Sequence, residues 1–301
     1  MIRKIAFIAG VVSSTVLVAQ WQELPVPTTI KGFSIKSLAI GNQHVIWALG
    51  IKNQQESALF SWHEAGSSWQ EISKKLPYVE AIAANNNNIL FALQKTNGAA
   101  SLQAWNGSSW QEMYRIEHAR IGSLAALGKN KICAVINEKA YMLNGESWHQ
   151  LGTIEGLREV AAGGGNTLFA RRFNFEAALN PVTAVPAHSL ELLRWENVTK
   201  TWQKQNVVSE EKEKGIMSIA AQGDTTLWLI IREGAMGGKA YSWNHENQKL
   251  EQRGVNSDLY LVAASNDGTV WALSGSPGQP GRKLYRWVEE KSVPAQKGQE
   301  S

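Results

Sequence analysis

Short apolar runs, each broken by a cluster rich in Asn, Gly or Asp, recur six times along the chain. Aligned without internal gaps they read SLAIGNQHVIWAL from Ser37, AIAANNNNILFAL from Ala81, SLAALGKNKICAV from Ser123, EVAAGGGNTLFAR from Glu159, SIAAQGDTTLWLI from Ser218 and LVAASNDGTVWAL from Leu261. The third position is Ala throughout: Ala39, Ala83, Ala125, Ala161, Ala220 and Ala263. The eleventh is large or sulfur-bearing: Trp47, Phe91, Cys133, Phe169, Trp228 and Trp271. Between them lie Asn42, Asn86-Asn87-Asn88, Gly163-Gly164-Gly165, Gly223-Asp224 and Asn266-Asp267-Gly268. Such residues tolerate positive φ and close tight hairpins. Each segment therefore predicts strand, turn, strand.

A second signature follows each hairpin. One Trp ends a predicted third strand, at Trp62, Trp105, Trp195, Trp243 and Trp287, with Leu143 in the third repeat. Another opens a fourth, at Trp69, Trp110, Trp148 and Trp202, with Leu250 in the fifth. The sixth repeat lacks this last Trp, and the missing piece lies at the other end of the chain. Trp21-Gln22-Glu23-Leu24 matches Trp69-Gln70-Glu71-Ile72 and Trp110-Gln111-Glu112-Met113. With Trp21 included, all 13 tryptophans fall on template positions. Four strands in roughly 43 residues is the size of a propeller blade. The expectation is an all-β, six-bladed β-propeller of four-stranded antiparallel blades, its ring closed by the N-terminal strand. Closure removes the exposed sheet edge that invites aggregation. The small Ala suits a crowded strand beside the central channel, and the Trp residues suit the space between neighbouring blades.

The run from Leu261 to Trp287 resembles the tectonin repeat, in which a small-residue strand leads to an Asp-Gly turn, then Val-Trp, then a Tyr-Arg-Trp-like strand. The resemblance extends over about Trp21 to Val293, most specifically in the sixth repeat and least in the third and fourth. It implies a six-bladed propeller. Characterised members of that family are lectins for surface glycans or bacterial lipopolysaccharide, or intracellular adaptors that bind proteins. Several secreted animal members are disulfide-linked. This chain departs from them, because Cys133 is its one cysteine.

The N-terminus opens Met1-Ile2-Arg3-Lys4 and continues with an apolar stretch to Ala19. That stretch is too short for a comfortable membrane-spanning helix. It reads as a secretory signal over residues 1–19, cleaved before Gln20, with the propeller over 20–301 and no transmembrane segment in the mature chain. A rival reading takes Phe7 to Ala19 as part of a seventh blade, and a third keeps the stretch as an uncleaved anchor. The expected location is secreted or extracytoplasmic.

The net charge of +4 comes with no basic run, so nothing in it points to nucleic acid. The six His show no metal-ligand spacing, and there is no GxSxG, phosphate loop or HExxH. Only three Asp occur, all from Asp224 onward, which leaves little for the paired carboxylates of a glycosidase. No catalysis and no cofactor are expected.

The expected function is recognition of glycans or glycoconjugates, lipopolysaccharide among them. Outer tryptophans would stack on pyranose rings while neighbouring amides hold hydroxyls. The candidates are Trp62, Trp105, Asn106, Trp195, Trp243, Asn244 and Trp287. Similar sites around a ring would gain by avidity. The alternative is a scaffold whose faces bind protein partners. An insertion in the fourth repeat, Phe173 to Ser189, carries Pro181, Pro186 and His188 and is placed to form a lid or partner contact.

Overall fold

The computed structural model describes residues 19–24, 33–41, 45–52, 56–63, 68–72, 78–85, 90–96, 99–128, 131–164, 167–173, 190–207, 215–232, 237–254, 258–275 and 283–288. The proposed signal segment apart from Ala19, and the fourth-repeat insertion beyond Phe173, lie outside these residues.

The described residues form strands arranged as antiparallel sets of four. The chain begins with β1 (Gln20–Leu24). Blade 1 follows as β2 (Ser34–Ile40), β3 (Val45–Lys52), β4 (Glu56–His63) and β5 (Ser68–Glu71). Blade 2 is β6 (Val79–Ala84), β7 (Leu90–Thr96), β8 (Ala99–Trp105) and β9 (Trp110–Glu117). Blade 3 is β10 (Ile121–Gly128), β11 (Lys131–Ile136), β12 (Lys139–Asn144) and β13 (Ser147–Gln150). Blade 4 is β14 (Leu157–Ala162), β15 (Leu168–Phe173), β16 (Leu190–Glu196) and β17 (Thr201–Gln205). Blade 5 is β18 (Ile216–Gln222), β19 (Thr226–Arg232), β20 (Gly238–Asn244) and β21 (Lys249–Gln252). The last set is β22 (Leu259–Ala264), β23 (Val270–Ser274) and β24 (Leu284–Val288). Its fourth strand is β1, paired antiparallel with β24 so that Trp21 faces Trp287.

The two template positions of each hairpin turn out to be one cross-strand pair. Ala39 stands opposite Trp47, Ala83 opposite Phe91, Ala125 opposite Cys133, Ala161 opposite Phe169, Ala220 opposite Trp228 and Ala263 opposite Trp271. Directly opposed side chains lie only about 5 Å apart at Cβ, so a large ring on one strand wants a small partner on the other. The six Ala also line the central cavity. Core clusters join each blade to the next, and one of them joins the last set to the first: Tyr260, Ala263 and Trp271 pack with Ile35, Trp62 and Trp69.

The second signature pairs in the same manner. Trp62 faces Trp69, Trp105 faces Trp110, Trp195 faces Trp202 and Trp21 faces Trp287, with ring centroids 5.2 to 5.8 Å apart. Aromatic pairs at such separations contribute about 0.5–1.5 kcal/mol beyond the area they bury. Where one Trp is missing, Leu fills the place, as Leu143 opposite Trp148 and Trp243 opposite Leu250.

Two of these corners are buckled to the preceding blade, whereas the indole N–H groups of Trp69, Trp110 and Trp148 find no acceptor among the described residues. The indole N–H of Trp202 donates to Leu151 O of the preceding blade at 2.9 Å, and that of Trp21 donates to Arg253 O at 2.9 Å. Both acceptors sit in a Gln-x-Gly triplet at the end of an outer strand. Gln150 Nε2 donates to Gly152 O and Gln252 Nε2 to Gly254 O. Both glycines have positive φ, and a Cβ would lie 3.2 Å from Trp202 Cδ1 or 2.6 Å from Trp21 Cδ1.

Candidate functional site: the cavity mouth

All six innermost strands carry a bulge at one equivalent place. Pairing with the second strand shifts between Ile35 and Ser37, Val79 and Ala81, Ile121 and Ser123, Leu157 and Glu159, Ile216 and Ser218, and Leu259 and Leu261. A bulge leaves one residue unpaired and re-aims its side chain. The residues so placed are Lys36, Glu80, Gly122, Arg158, Met217 and Tyr260. They ring one end of a central cavity of about 390 Å³, lined further in by small and aliphatic side chains of every blade.

The residue after each bulge forms a second tier, and in blades 3, 4 and 5 it ties one blade to the next. Ser123 Oγ accepts the Val160 N–H at 3.0 Å, and Ser218 Oγ accepts the Val262 N–H at 3.3 Å. Blade 4 places Glu159 here, and its carboxylate accepts the Ile219 N–H and the Ser218 hydroxyl, the latter at 3.2 Å. Arg171 completes the group, with Nε 3.0 Å from Glu159 Oε2 and Nη1 donating to Ile216 O. Burial pushes the Glu159 carboxyl up, and the Arg171 charge and the three hydrogen bonds from Ile219, Ser218 and Arg171 pull back against it. Between the last set and blade 1 the tie is Tyr260, whose hydroxyl donates to Ile35 O at 2.6 Å.

The rest of the rim is charged in both signs. Desolvation lowers the Lys36 ammonium from its ordinary value, with the Glu80 charge opposing. Arg158 reaches Glu138, on the β11–β12 turn of blade 3, at 2.8 Å. The opposite end of the cavity is knit by turns: Gly223 N–H donates to Asn266 Oδ1, and Thr167 Oγ1 to Asp224 Oδ1. Among the described residues no group of three His, Cys, Asp or Glu is placed to hold a metal ion. No helix among them is long and apolar enough to cross a membrane.

The structure places the sequence-predicted residues elsewhere. Trp62, Trp195, Trp243 and Trp287 are buried between blades, where packing covers the ring faces a sugar would need. Trp105 is half-buried at the corner of blade 2. Asn106 is exposed, but its Oδ1 accepts the N–H groups of Ser108 and Ser109. Asn244 Oδ1 likewise accepts from Glu246 and Asn247. Both amides shape their own turns. Gapless alignment did not point to the rim, because a bulge is a property of two strands in register. One signal was available: Glu159 stands where the other repeats carry Ser, Ala or Leu.

No family model matches the chain, and no curated protein matches it. Solved structures do. A structure described as YCF48 bound to D1 peptide is 14% identical with a TM-score of 0.54, over 91% of this chain and 96% of that one. Streptogramin B lyase is 11% identical with a TM-score of 0.55, over 90% and 97%. The β-propeller domain of the Trilobed protease from Pyrococcus furiosus is 10% identical with a TM-score of 0.56, over 85% and 82%. The fold is a β-propeller. At such identities the likeness speaks for fold alone, and the neighbours include both enzymes and binding proteins.

Proposed function

We propose that the chain is a non-catalytic, six-bladed propeller scaffold, its ring closed by β1, that recognises protein partners at the mouth of its central cavity. The observation that carries this reading is the rim itself. Six re-aimed residues surround one opening, and they present both charges and a thioether, Lys36, Glu80, Arg158 and Met217, with Gly122 and the buried Tyr260 completing the ring. Such a mixture suits a polypeptide, which presents both charges and apolar side chains within a few residues. The neighbour solved with a bound peptide supports the same direction. The half-buried carboxylate at the mouth, Glu159, is committed to Arg171, Ser218 and a backbone amide that hold blades 4 and 5 together.

The test is panning of a phage-displayed peptide library on the folded protein, with a Lys36→Glu/Glu80→Lys double variant for comparison. Enriched peptides should lose at least about tenfold in affinity for the variant, roughly 1.4 kcal/mol. Peptides that bind both proteins equally would place recognition away from the mouth.

A second reading, multivalent carbohydrate recognition, is favoured by one observation. At the corner of blade 2, Trp105 and Trp110 are only half-buried beside the exposed Asn106–Ser109 turn. A glycan array answers it: saturable binding that Trp105→Ala weakens supports this reading, and a blank array from folded protein removes it.

A further inference from the structure

Among the described residues, five charged side chains line the central cavity: Lys36, Glu80, Arg158, Glu159 and Arg171. Three of them are committed. Arg171 pairs with Glu159 at 3.0 Å, and Arg158 pairs with Glu138 at 2.8 Å. Lys36 and Glu80 differ. Neither charged group has an ion pair or a hydrogen bond among the described residues. The Lys36 ammonium has only the Tyr78 ring beside it, 6.0 Å from the centroid.

The fold aims both groups at the opening. Each belongs to the residue that a bulge leaves unpaired on an innermost strand, Lys36 on β2 and Glu80 on β6, so the two project from adjacent blades. Lys36 is exposed and Glu80 half-buried. The Glu80 charge acts on the Lys36 ammonium, and still the two do not meet. Opposite charges within electrostatic reach but out of contact keep their bonding capacity unused. Lys36 retains its ammonium donors and Glu80 its carboxylate oxygens. Burial lowers the Lys36 ammonium, and a carboxylate set against it would offset that desolvation.

An extended polypeptide offers a matching pair. Side chains at i and i+2 leave the same face of a strand about 6.5–7 Å apart, while residue i+1 points the other way. That spacing suits two site charges that feel each other without touching. Resting on the reading of the mouth as a polypeptide site, we propose that the partner segment is extended and carries an acidic and a basic residue two positions apart, the acidic one on Lys36 and the basic one on Glu80. The charges select the segment more than they tighten it. Exposed ion pairs contribute little each, whereas a segment with two like charges meets repulsion at one of the two places.

The test is selection of a random heptapeptide library on three proteins: the parent, Lys36→Glu and Glu80→Lys. The parent should enrich peptides with one acidic and one basic residue two apart. Lys36→Glu, which presents two carboxylates, should enrich two basic residues at that spacing, and Glu80→Lys two acidic ones. A peptide selected on the parent should lose at least about tenfold in affinity for either variant, and replacing its acidic residue by Lys should restore binding to Lys36→Glu. Should a reversal fail to fold, Lys36→Met or Glu80→Gln takes its place, and each should abolish selection for the one charge it no longer meets. The proposal fails, with the mouth reading intact, if selected peptides lose affinity for the variants yet carry no such pair, or if the reversals leave the selected charges unchanged. Peptides that bind all three proteins equally, or a library that enriches nothing, overturn both.

Discussion

Trp21 donates its indole N–H to the carbonyl of Arg253, 232 positions away in the chain, at 2.9 Å. The same ring lies edge-on to both Trp228 and Trp287, at 5.8 and 5.2 Å. One residue of the first strand therefore holds the outer corners of blade 5 and the last set together. Trp21→Ala should cost about 3 kcal/mol in urea unfolding. Val198→Ser, at the one exposed large hydrophobe among the described residues (87% exposed), should stay within about 0.5 kcal/mol.

Gly254 and Gly145 separate two costs of replacing glycine. Both have positive φ, 77° and 69°. A Cβ at Gly145 meets nothing within 4 Å, whereas one at Gly254 lies 2.6 Å from Trp21. Gly145→Ala should cost about 1 kcal/mol for the backbone alone. Gly254→Ala should cost at least about 1 kcal/mol more, since the indole must move, and the difference is read from the two denaturation midpoints.

The Glu159 carboxyl is raised in the folded protein, above all by burial. A raised acid binds its proton more readily folded than unfolded. Its share of stability is thus fully present below the ordinary carboxylate value and is lost as pH rises through the higher folded value. In Glu159→Gln this loss should vanish. Urea unfolding of both proteins across pH 4 to 8 should show the parent losing ground to the variant as pH rises, with the other groups cancelling in the difference. Arg171→Ala, which leaves the carboxylate without its cation, should cost about 3 kcal/mol at neutral pH.

Cys133 is buried opposite Ala125, and burial pushes its thiol up to about 12. A thiol so protonated and enclosed reacts only when the blade opens. Labelling with a disulfide reagent at pH 8 should be negligible in the native protein, and should appear with the same urea midpoint as the loss of tryptophan fluorescence.

The strand plan was legible because its signals are local. Ala at one hairpin position and a ring eight residues on predict a hairpin whose register puts them opposite each other, as Ala263 and Trp271 are. The pairing of Trp21 with Trp287 was legible for a different reason: one repeat lacked an outer strand, and the other end of the chain supplied it. The site was far less legible. Trp243 reads equally well as a sugar platform or as core until its neighbours are known, and the neighbours come from blade 4. The role of Lys36 depends on a bulge, hence on a partner strand.

The pairing of β1 with β24 also settles how the molecule bears load. Gln20 lies opposite Val288 and Leu24 opposite Leu284, so the two strands enter and leave their ladder at the same end. Tension applied between residues 20 and 288 does not shear the ladder as a whole. It peels the strands apart pair by pair from that end, so each hydrogen bond meets the force alone. Heat and denaturant must instead disrupt the whole sheet at once, so the same ladder meets the two kinds of stress differently.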